Sequence, residues 1–449
     1  MILISTIQSI ATEEKAILVG AYLSQRHQTQ EQYEQSLQEL EQLADTAGAR
    51  VLQVFTQNRD GYDSSTLVGK GKLEEITLYV EENEIDVVIF NSELSPKQKR
   101  NIEKIVPCKV IDRTELILDI FALRARTHEG KLQVELAQLQ YLLPRLTGKG
   151  TEMSRLGGGI GTRGPGETKI EVDRRKIRDQ VTKISKDLEQ IKKQRQIERN
   201  LRIKNNVPVI ALVGYTNVGK SSLFNLLYKQ LNPASAKDEV LVENKLFATL
   251  DTTVRLIELE PKISTLMVDT VGFIQDLPHN LVAAFRSTLE EVLYADVLLH
   301  VVDVSDPHHN DKIETVEKVL TDLGVTDPRI IYVYNKIDIR SNYSEDYELV
   351  VTENSVQVSV LHQNGIDQLR ALILQYIFQD YSQNTLSIPY HRSDIYAAAH
   401  EIGKVLSKQE DEHGWIMAIF ARKSANEGFI KKHMNSIEIL ERENHEFTV

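Results

Sequence analysis

Pro208-Val-Ile-Ala-Leu-Val-Gly214-Tyr-Thr-Asn-Val-Gly219-Lys220-Ser221-Ser222 decides the fold of this chain. An unbroken apolar run ends in a glycine. A second glycine followed by Lys-Ser opens a stretch carrying Leu223, Leu226 and Leu227 at helical spacing. Strand, loop and helix in that order are the context in which Gly-x-x-x-x-Gly-Lys-Ser cradles phosphates. Gly214 and Gly219 permit backbone angles that other residues resist. The expected cage of backbone N–H groups runs through Tyr215, Thr216, Asn217, Val218 and on to Ser222, with the positive end of the helix behind it. In that arrangement Lys220 bridges the β- and γ-phosphates and the Ser221 hydroxyl sits on Mg²⁺.

Two further motifs follow in order. Ser264–Asp269 and Val301–Asp303 read as neighbouring buried strands, which puts Asp269-Thr270-Val271-Gly272 at a strand's carboxyl end, where α/β sheets bind ligands. Asp269 is placed to orient Mg²⁺ through water, and the Gly272 N–H to meet the terminal phosphate. A segment held by that contact relaxes on hydrolysis, which marks 270–280 as a switch. The run Ile330–Tyr334 leads into Asn335-Lys336-Ile337-Asp338. The Asp338 carboxylate can accept two hydrogen bonds from guanine's ring N–H and exocyclic amine, whereas adenine leaves it unpaired. Sites that demand such bonds discriminate by roughly 10⁴ to 10⁵. Lys336 is expected to lay its stem on the base, and Ser359-Val360-Leu361 to close over the base edge with backbone N–H groups. The threonine completing the Mg²⁺ shell lies within Phe247-Ala248-Thr249-Leu250-Asp251-Thr252-Thr253, and spacing alone does not choose among the three. The ordered motifs imply GTP and GDP as ligands and GTP hydrolysis as the reaction.

Phe273 stands where many GTPases carry the glutamine that orients the attacking water. Its ring can neither donate nor accept a hydrogen bond, so a partner or an ion must supply what is missing. Asn217 offers either K⁺ coordination or stabilisation of its own loop. His279 lies in the switch segment; His300 reads as a packed strand residue.

The 449 residues suggest about three domains. A formal charge of −12 argues against a non-specific nucleic-acid binder, and no DNA partner is expected. The single cysteine, Cys108, excludes a disulfide framework and a cysteine metal site, and reads as a buried small hydrophobe. No apolar run approaches the length of a membrane span, so a soluble cytoplasmic protein is expected.

The chain divides into four parts. Residues 1–112 alternate apolar runs (16–20, 51–55, 86–90, 109–111) with helical stretches near 30–46, 71–83 and 96–105, a small parallel α/β subdomain. Residues 113–204 carry two heptad stripes, Leu132, Leu136, Leu139, Leu143 and Leu146, then Ile177, Val181, Ile184, Leu188 and Ile191. They predict a helical hairpin. Its connecting loop, 147–168, has eight glycines in 22 residues and holds Lys149, Arg155 and Arg163, with Lys169 just beyond. From 169 to 204 there are 13 Lys or Arg against six Asp or Glu, a basic stretch in an acidic chain that suits RNA. Residues 205–380 form the nucleotide domain. Residues 381–449 form a small C-terminal α/β domain, with a helix predicted through Ile395, Ala399, Ile402 and Leu406 and a strand at 415–420.

With these residues assembled, the chain resembles the HflX family of ribosome-associated GTPases over nearly its whole length. Leu67–Ile76, Gly130–Arg145, Gly157–Thr168, and Asp269–Ile274 continuing to Asp276-Leu-Pro-His279 carry the resemblance. It implies a multidomain α/β fold: an N-terminal subdomain, a helical hairpin, a Ras-like P-loop GTPase domain and a small C-terminal domain. It also implies binding of the 50S subunit and its rRNA, and GTP-dependent dissociation of 70S ribosomes under stress, by a monomer. The Phe-Thr-Thr-Leu segment of Obg-type GTPases aligns with Phe247–Leu250, which selects Thr249 as the Mg²⁺ ligand. Val218, Ser222 and Val360 depart from the family's usual Ala, Thr and Ala, and none removes a ligand. A passive hibernation factor with GTP-timed release and a regulator of a protein target are the competing readings. A further alternative is ATP-dependent rRNA remodelling through Gly69-Lys70-Gly71-Lys72, which reads better as a basic turn.

Overall fold

The computed structural model describes residues 13–23, 29–146, 169–204, 207–231, 246–247, 252–260, 263–275, 291–325, 328–340 and 348–443. By packing, the chain forms two compact units. One comprises 1–189, 243–250 and 275–285; the other comprises 190–242, 251–274 and 286–449.

In the first unit, β1 (Glu14–Leu23), β2 (Ala49–Arg59), β3 (Val87–Phe90) and β4 (Lys109–Asp112) form a parallel sheet in the order β2-β1-β3-β4. The intervening helices are α1 (Gln30–Ala47), α2 (Lys70–Asn83) and α3 (Pro96–Glu103). Their ends follow local chemistry. Thr29 and Gln32 form a reciprocal capping box before α1, and Ser95 and Gln98 do so before α3, with Pro96 in its first turn. Ile17, Val19 and Phe90 of the sheet pack with Leu73 and Ile76 of α2. Cys108 is half-buried rather than buried, at the margin of this core, and burial pushes its thiol up to about 11.

Two helices follow: α4 (Arg113–Arg124), capped by Asp112, and α5 (His128–Arg145), capped by Thr127. The buried face of α5 is Gly130, Gln133, Val134, Ala137 and Tyr141, while the leucine stripe is only half-buried. The small residues Gly130 and Ala137 let α5 approach a neighbour closely, and α4 is that neighbour. Helix α6 (Lys169–Lys204) is a single 36-residue element, polar along nearly its whole length.

The second unit holds a six-stranded sheet. Its elements are β5 (Val209–Val213), α7 (Lys220–Leu231), β6 (Thr253–Glu260), β7 (Ile263–Asp269), β8 (Val297–Asp303), α8 (His309–Leu323), β9 (Ile330–Asn335), β10 (Ser355–Gln357) and α9 (Ile366–Phe378). The order is β10-β9-β8-β5-β7-β6, with only β6 antiparallel to its neighbour. The expected adjacency of β7 and β8 is therefore incorrect. Strand β5 lies between them, Ala211 pairing with Val268 on one side and Leu298 on the other. That inserts the strand leading into Gly214 at the sheet's centre.

The same unit ends in β11 (Tyr381–Pro389), α10 (Ser393–Ile402), β12 (Lys404–Glu410), β13 (Gly414–Arg422), α11 (Lys423–His433) and β14 (Glu438–Glu443). The sheet order β12-β13-β11-β14 makes this a split βαβ, ferredoxin-like arrangement. The helix predicted through Leu406 stops at Ile402. Gly403 is extended there, and a Cβ on it would lie 2.5 Å from the Phe420 carbonyl, so the chain enters β12 and carries Leu406 with it. An ion pair between Arg422 and Asp296 (2.7 Å) joins β13 to the six-stranded part, where Asp296 also accepts from the Val209 N–H. No described helix is long and apolar enough to cross a membrane.

Candidate nucleotide site

Strand β5 delivers the loop 214–219, and Lys220 is the first residue of α7. Lys220 is buried, and its Nζ donates to the carbonyls of Gly214 (3.1 Å) and Tyr215 (2.6 Å). Burial lowers its pKa to about 8, against the opposing pull of the Asp269 carboxylate. A phosphate arriving at this ammonium exchanges two neutral carbonyls for an anion. Ser221 Oγ donates to Asp269 Oδ2 at 2.7 Å. This hydroxyl–carboxylate pair is a hard-oxygen donor set of the kind Mg²⁺ takes alongside waters and substrate phosphates, so it fits that ion. Among the described residues no cluster of three or more His, Cys, Asp or Glu offers an all-protein metal cage.

The segment after β7 is stitched to the loop. Thr270 Oγ1 donates to the Leu212 carbonyl (2.6 Å), the Phe273 N–H donates to the Gly214 carbonyl (3.1 Å), and the Thr216 N–H donates to the Phe273 carbonyl (2.8 Å). A Cβ on Gly272 would lie 2.8 Å from Thr216 Cα and 2.9 Å from Lys220 Nζ, a space that only glycine leaves open. The Phe273 ring is buried in the core with Val209, Val268 and Leu298. Val271 is buried as well.

The third motif braces the first. Asn335 Nδ2 donates to the Val218 carbonyl (2.9 Å), while its Oδ1 accepts from the Val360 N–H (3.2 Å). Gly219 sits at φ +95°, and a Cβ there would meet Asn335 Nδ2 at 2.4 Å. Lys336, itself at φ +65°, places its Nζ 2.7 Å from Asp303 and 2.9 Å from the Asn217 carbonyl. Asp303 ends β8 and lies outside the three motifs; its position beside Asn335 follows from the β8–β9 pairing. Ser359 Oγ donates to Asp338 Oδ1 (2.5 Å), which orients the carboxylate. Leu361 is 77% exposed. Asn217 is exposed at φ +60°, with its carbonyl already taken by Lys336.

Other expected residues fall elsewhere. Phe247 is buried at φ +54° with its ring edge-on to Phe121 (4.6 Å), so its aromatic surface is spent within the first unit. Ala248, Thr249, Leu250, Asp251, His279, Lys149, Arg155 and Arg163 lie outside the described residues, and Lys169 opens α6 with its side chain outside them. His300 is buried and packed near Tyr332, as expected of a strand residue, yet its Nδ1 makes no hydrogen bond. Burial and the Lys220 charge lower its pKa to about 4, so the ring is neutral near pH 7. At Gly69 the N–H already donates to Gln57 Oε1 (2.8 Å), and Lys72 pairs with Glu75, which leaves that turn poorly disposed to take a phosphate.

Three family models match successive parts of the chain: "GTP-binding GTPase N-terminal" at 34–122, "GTP-binding GTPase Middle Region" at 124–202 and "50S ribosome-binding GTPase" at 209–336. The chain is 48% identical over 404 residues to the GTPase HflX of Caldanaerobacter subterraneus subsp. tengcongensis, covering 90% of each. It is 42% identical over 403 residues to the GTPase HflX of Escherichia coli strain K12, covering 89% of this chain and 92% of that one. A GTP-binding protein of the archaeon Sulfolobus solfataricus, solved with GDP, is similar at 26% identity and a TM-score of 0.42, over 82% of this chain and 99% of that one. The resemblance read from the motifs thus extends along nine-tenths of the chain, and with it the hydrolysis of GTP. The chain belongs to the HflX family of GTPases.

Proposed function

We propose that this chain binds the 50S subunit through rRNA and uses GTP to dissociate or rescue 70S ribosomes under stress, as a cytoplasmic monomer. The observation that carries the reading is α6, an exposed basic helix in a chain of net charge −12, beside a catalytic domain matched by a model described as a 50S ribosome-binding GTPase. Phosphate contacts by Lys and Arg supply sequence-independent affinity for nucleic acid. Lys149, Arg155, Arg163 and Lys169 extend that charge into the glycine-rich segment.

At the nucleotide, the loop amides of 214–222 hold the phosphates and Lys220 spans the β and γ groups. Ser221, Thr249 and, through water, Asp269 would hold Mg²⁺, which offsets charge developing on the phosphates. Asp338, oriented by Ser359, selects guanine. Gly272 reports the terminal phosphate. Because Phe273 turns an apolar ring into the core, turnover is slow alone, and the ribosome or a K⁺ ion near Asn217 supplies the missing stabilisation.

The test is GTP turnover with and without purified 50S subunits, joined to sucrose-gradient analysis of 70S particles with GTP or a non-hydrolysable analogue. The expected outcome is turnover at least tenfold faster with 50S, and loss of the 70S peak with either nucleotide. Unchanged 70S with both nucleotides would defeat splitting and favour a passive binder.

A further inference from the structure

Among the described side chains of α6 only Ile184 and Arg199 are buried, and a buried arginine on so polar a helix needs a physical reason. Arg199 is 5% exposed. One guanidinium nitrogen lies 3.4 Å from Oε1 of Glu291, which is 7% exposed. A second donates to Gln196 Oε1 at 3.0 Å, and the guanidinium carbon lies 3.7 Å from the centre of the Tyr294 ring. A desolvated charge is costly unless it is paired, so these contacts hold the carboxyl-terminal part of α6 in place.

Where Glu291 sits gives the contact its meaning. Its neighbour Val292 is buried in the same core cluster as Phe273. Phe273 directly follows Gly272, and its backbone bonds to Gly214 and Thr216 of the phosphate loop. One packed cluster therefore joins the segment beside the phosphates to the turn that grips Arg199. A ring fixed in a close-packed core transmits displacement instead of absorbing it. Beyond Arg199 the helix runs back through the lysines and arginines of 169–195.

We propose that Arg199 is a positioning residue that links the Asp269–Phe273 segment to the basic helix, so that GTP and GDP set different positions for α6. The inference rests on the guanine-nucleotide reading of the site and does not depend on ribosome splitting. Coupling of this kind requires that α6 take two arrangements which the nucleotide site biases.

The test is amide hydrogen exchange on the full chain, saturated with GDP or with a non-hydrolysable GTP analogue and Mg²⁺, with no ribosome present. In the wild type, exchange across 190–200 is expected to differ at least threefold between the two nucleotides. Arg199→Met with Glu291→Gln replaces the pair by neutral groups of similar size. It should reduce that difference below 1.5-fold while KM for GTP stays within twofold, a split that a merely structural role would not give. A wild-type helix indifferent to nucleotide, or a double variant that keeps the full difference, would overturn the proposal. Should the double variant not fold, Tyr294→Leu decides. That ring is 46% exposed and its loss leaves the ion pair intact, so a difference that is at least halved supports the coupling and an unchanged one overturns it. Failure of the wild type to bind either nucleotide would overturn the site reading and this inference together, whereas unsplit ribosomes with a nucleotide-sensitive α6 would overturn the ribosome reading alone.

Discussion

Lys220 is the residue whose charge state the surroundings control most directly. Burial among carbonyls holds its pKa near 8, well below an exposed lysine, in the protein without a phosphate beside it. An anion at the same place favours the ammonium and raises that pKa. The protein should therefore take up protons when GDP binds. The number of protons taken up should be larger at pH 8 than at pH 7, where more of Lys220 already carries its proton. Titration calorimetry of GDP in buffers of different ionisation enthalpy reads this number directly, and zero uptake or a release at pH 8 would sink the idea. The loop and its lysine were legible in the sequence because a glycine spacing encodes backbone geometry. Asp303 and Ser359 were harder. Asp303 holds Lys336, and Ser359 aims Asp338, only because separate strands end side by side.

At the scale of elements, local signals located the helices and strands well, and tertiary pairing decided the rest. Ser95-Pro96 announces the start of α3, since the residues that satisfy a first turn are adjacent in the chain. The order of the central sheet had no such local signature, and β5 entered between two strands that sequence reading had paired. The leucine stripe of α5 was equally misleading about burial. Its packed face runs through Tyr141, whose hydroxyl donates to Asp112 Oδ2 at 2.8 Å, while Asp112 also accepts from the Leu94 N–H at 2.9 Å. Arg145 stacks on the same Tyr141 ring, its guanidinium carbon 3.4 Å from the centre. This network fastens the end of α5 to the start of α4. Tyr141→Phe keeps the ring and removes one bond to a fully buried carboxylate, which should cost about 2 kcal/mol. Urea unfolding of the first unit checks it, and a change below about 0.5 kcal/mol, the usual scale for an inconsequential surface substitution, would mean that Asp112 is satisfied without the phenol.

For the whole molecule, composition described an average that no part of the chain possesses. The overall charge is −12, yet residues 169–204 are basic, and the average conceals where a polyanion could dock. The division into units was similarly hidden, because Leu246 and Phe247 pack with Thr46 and Phe121 of the N-terminal part although they lie inside the nucleotide-domain sequence. Each unit has its own buried core, one around Ile17, Phe90 and Leu73, the other around Ala211, Val268 and Phe273 with a second cluster around Leu386 and Ile419. Loop 214–222, Asp269–Phe273, Asn335–Asp338 and Ser359 all fall in the second unit. A ligand stabilises only the part that binds it, by about 2.7 kcal/mol at one hundred times its Kd. Calorimetric unfolding should therefore show two transitions. At that concentration GDP should raise one of them by about 5–11 °C, since each kcal/mol moves a unit of this size by about 2–4 °C, and leave the other in place. A single transition that moves as a whole would mean that the two cores unfold together, and that nucleotide binding is felt through the entire chain.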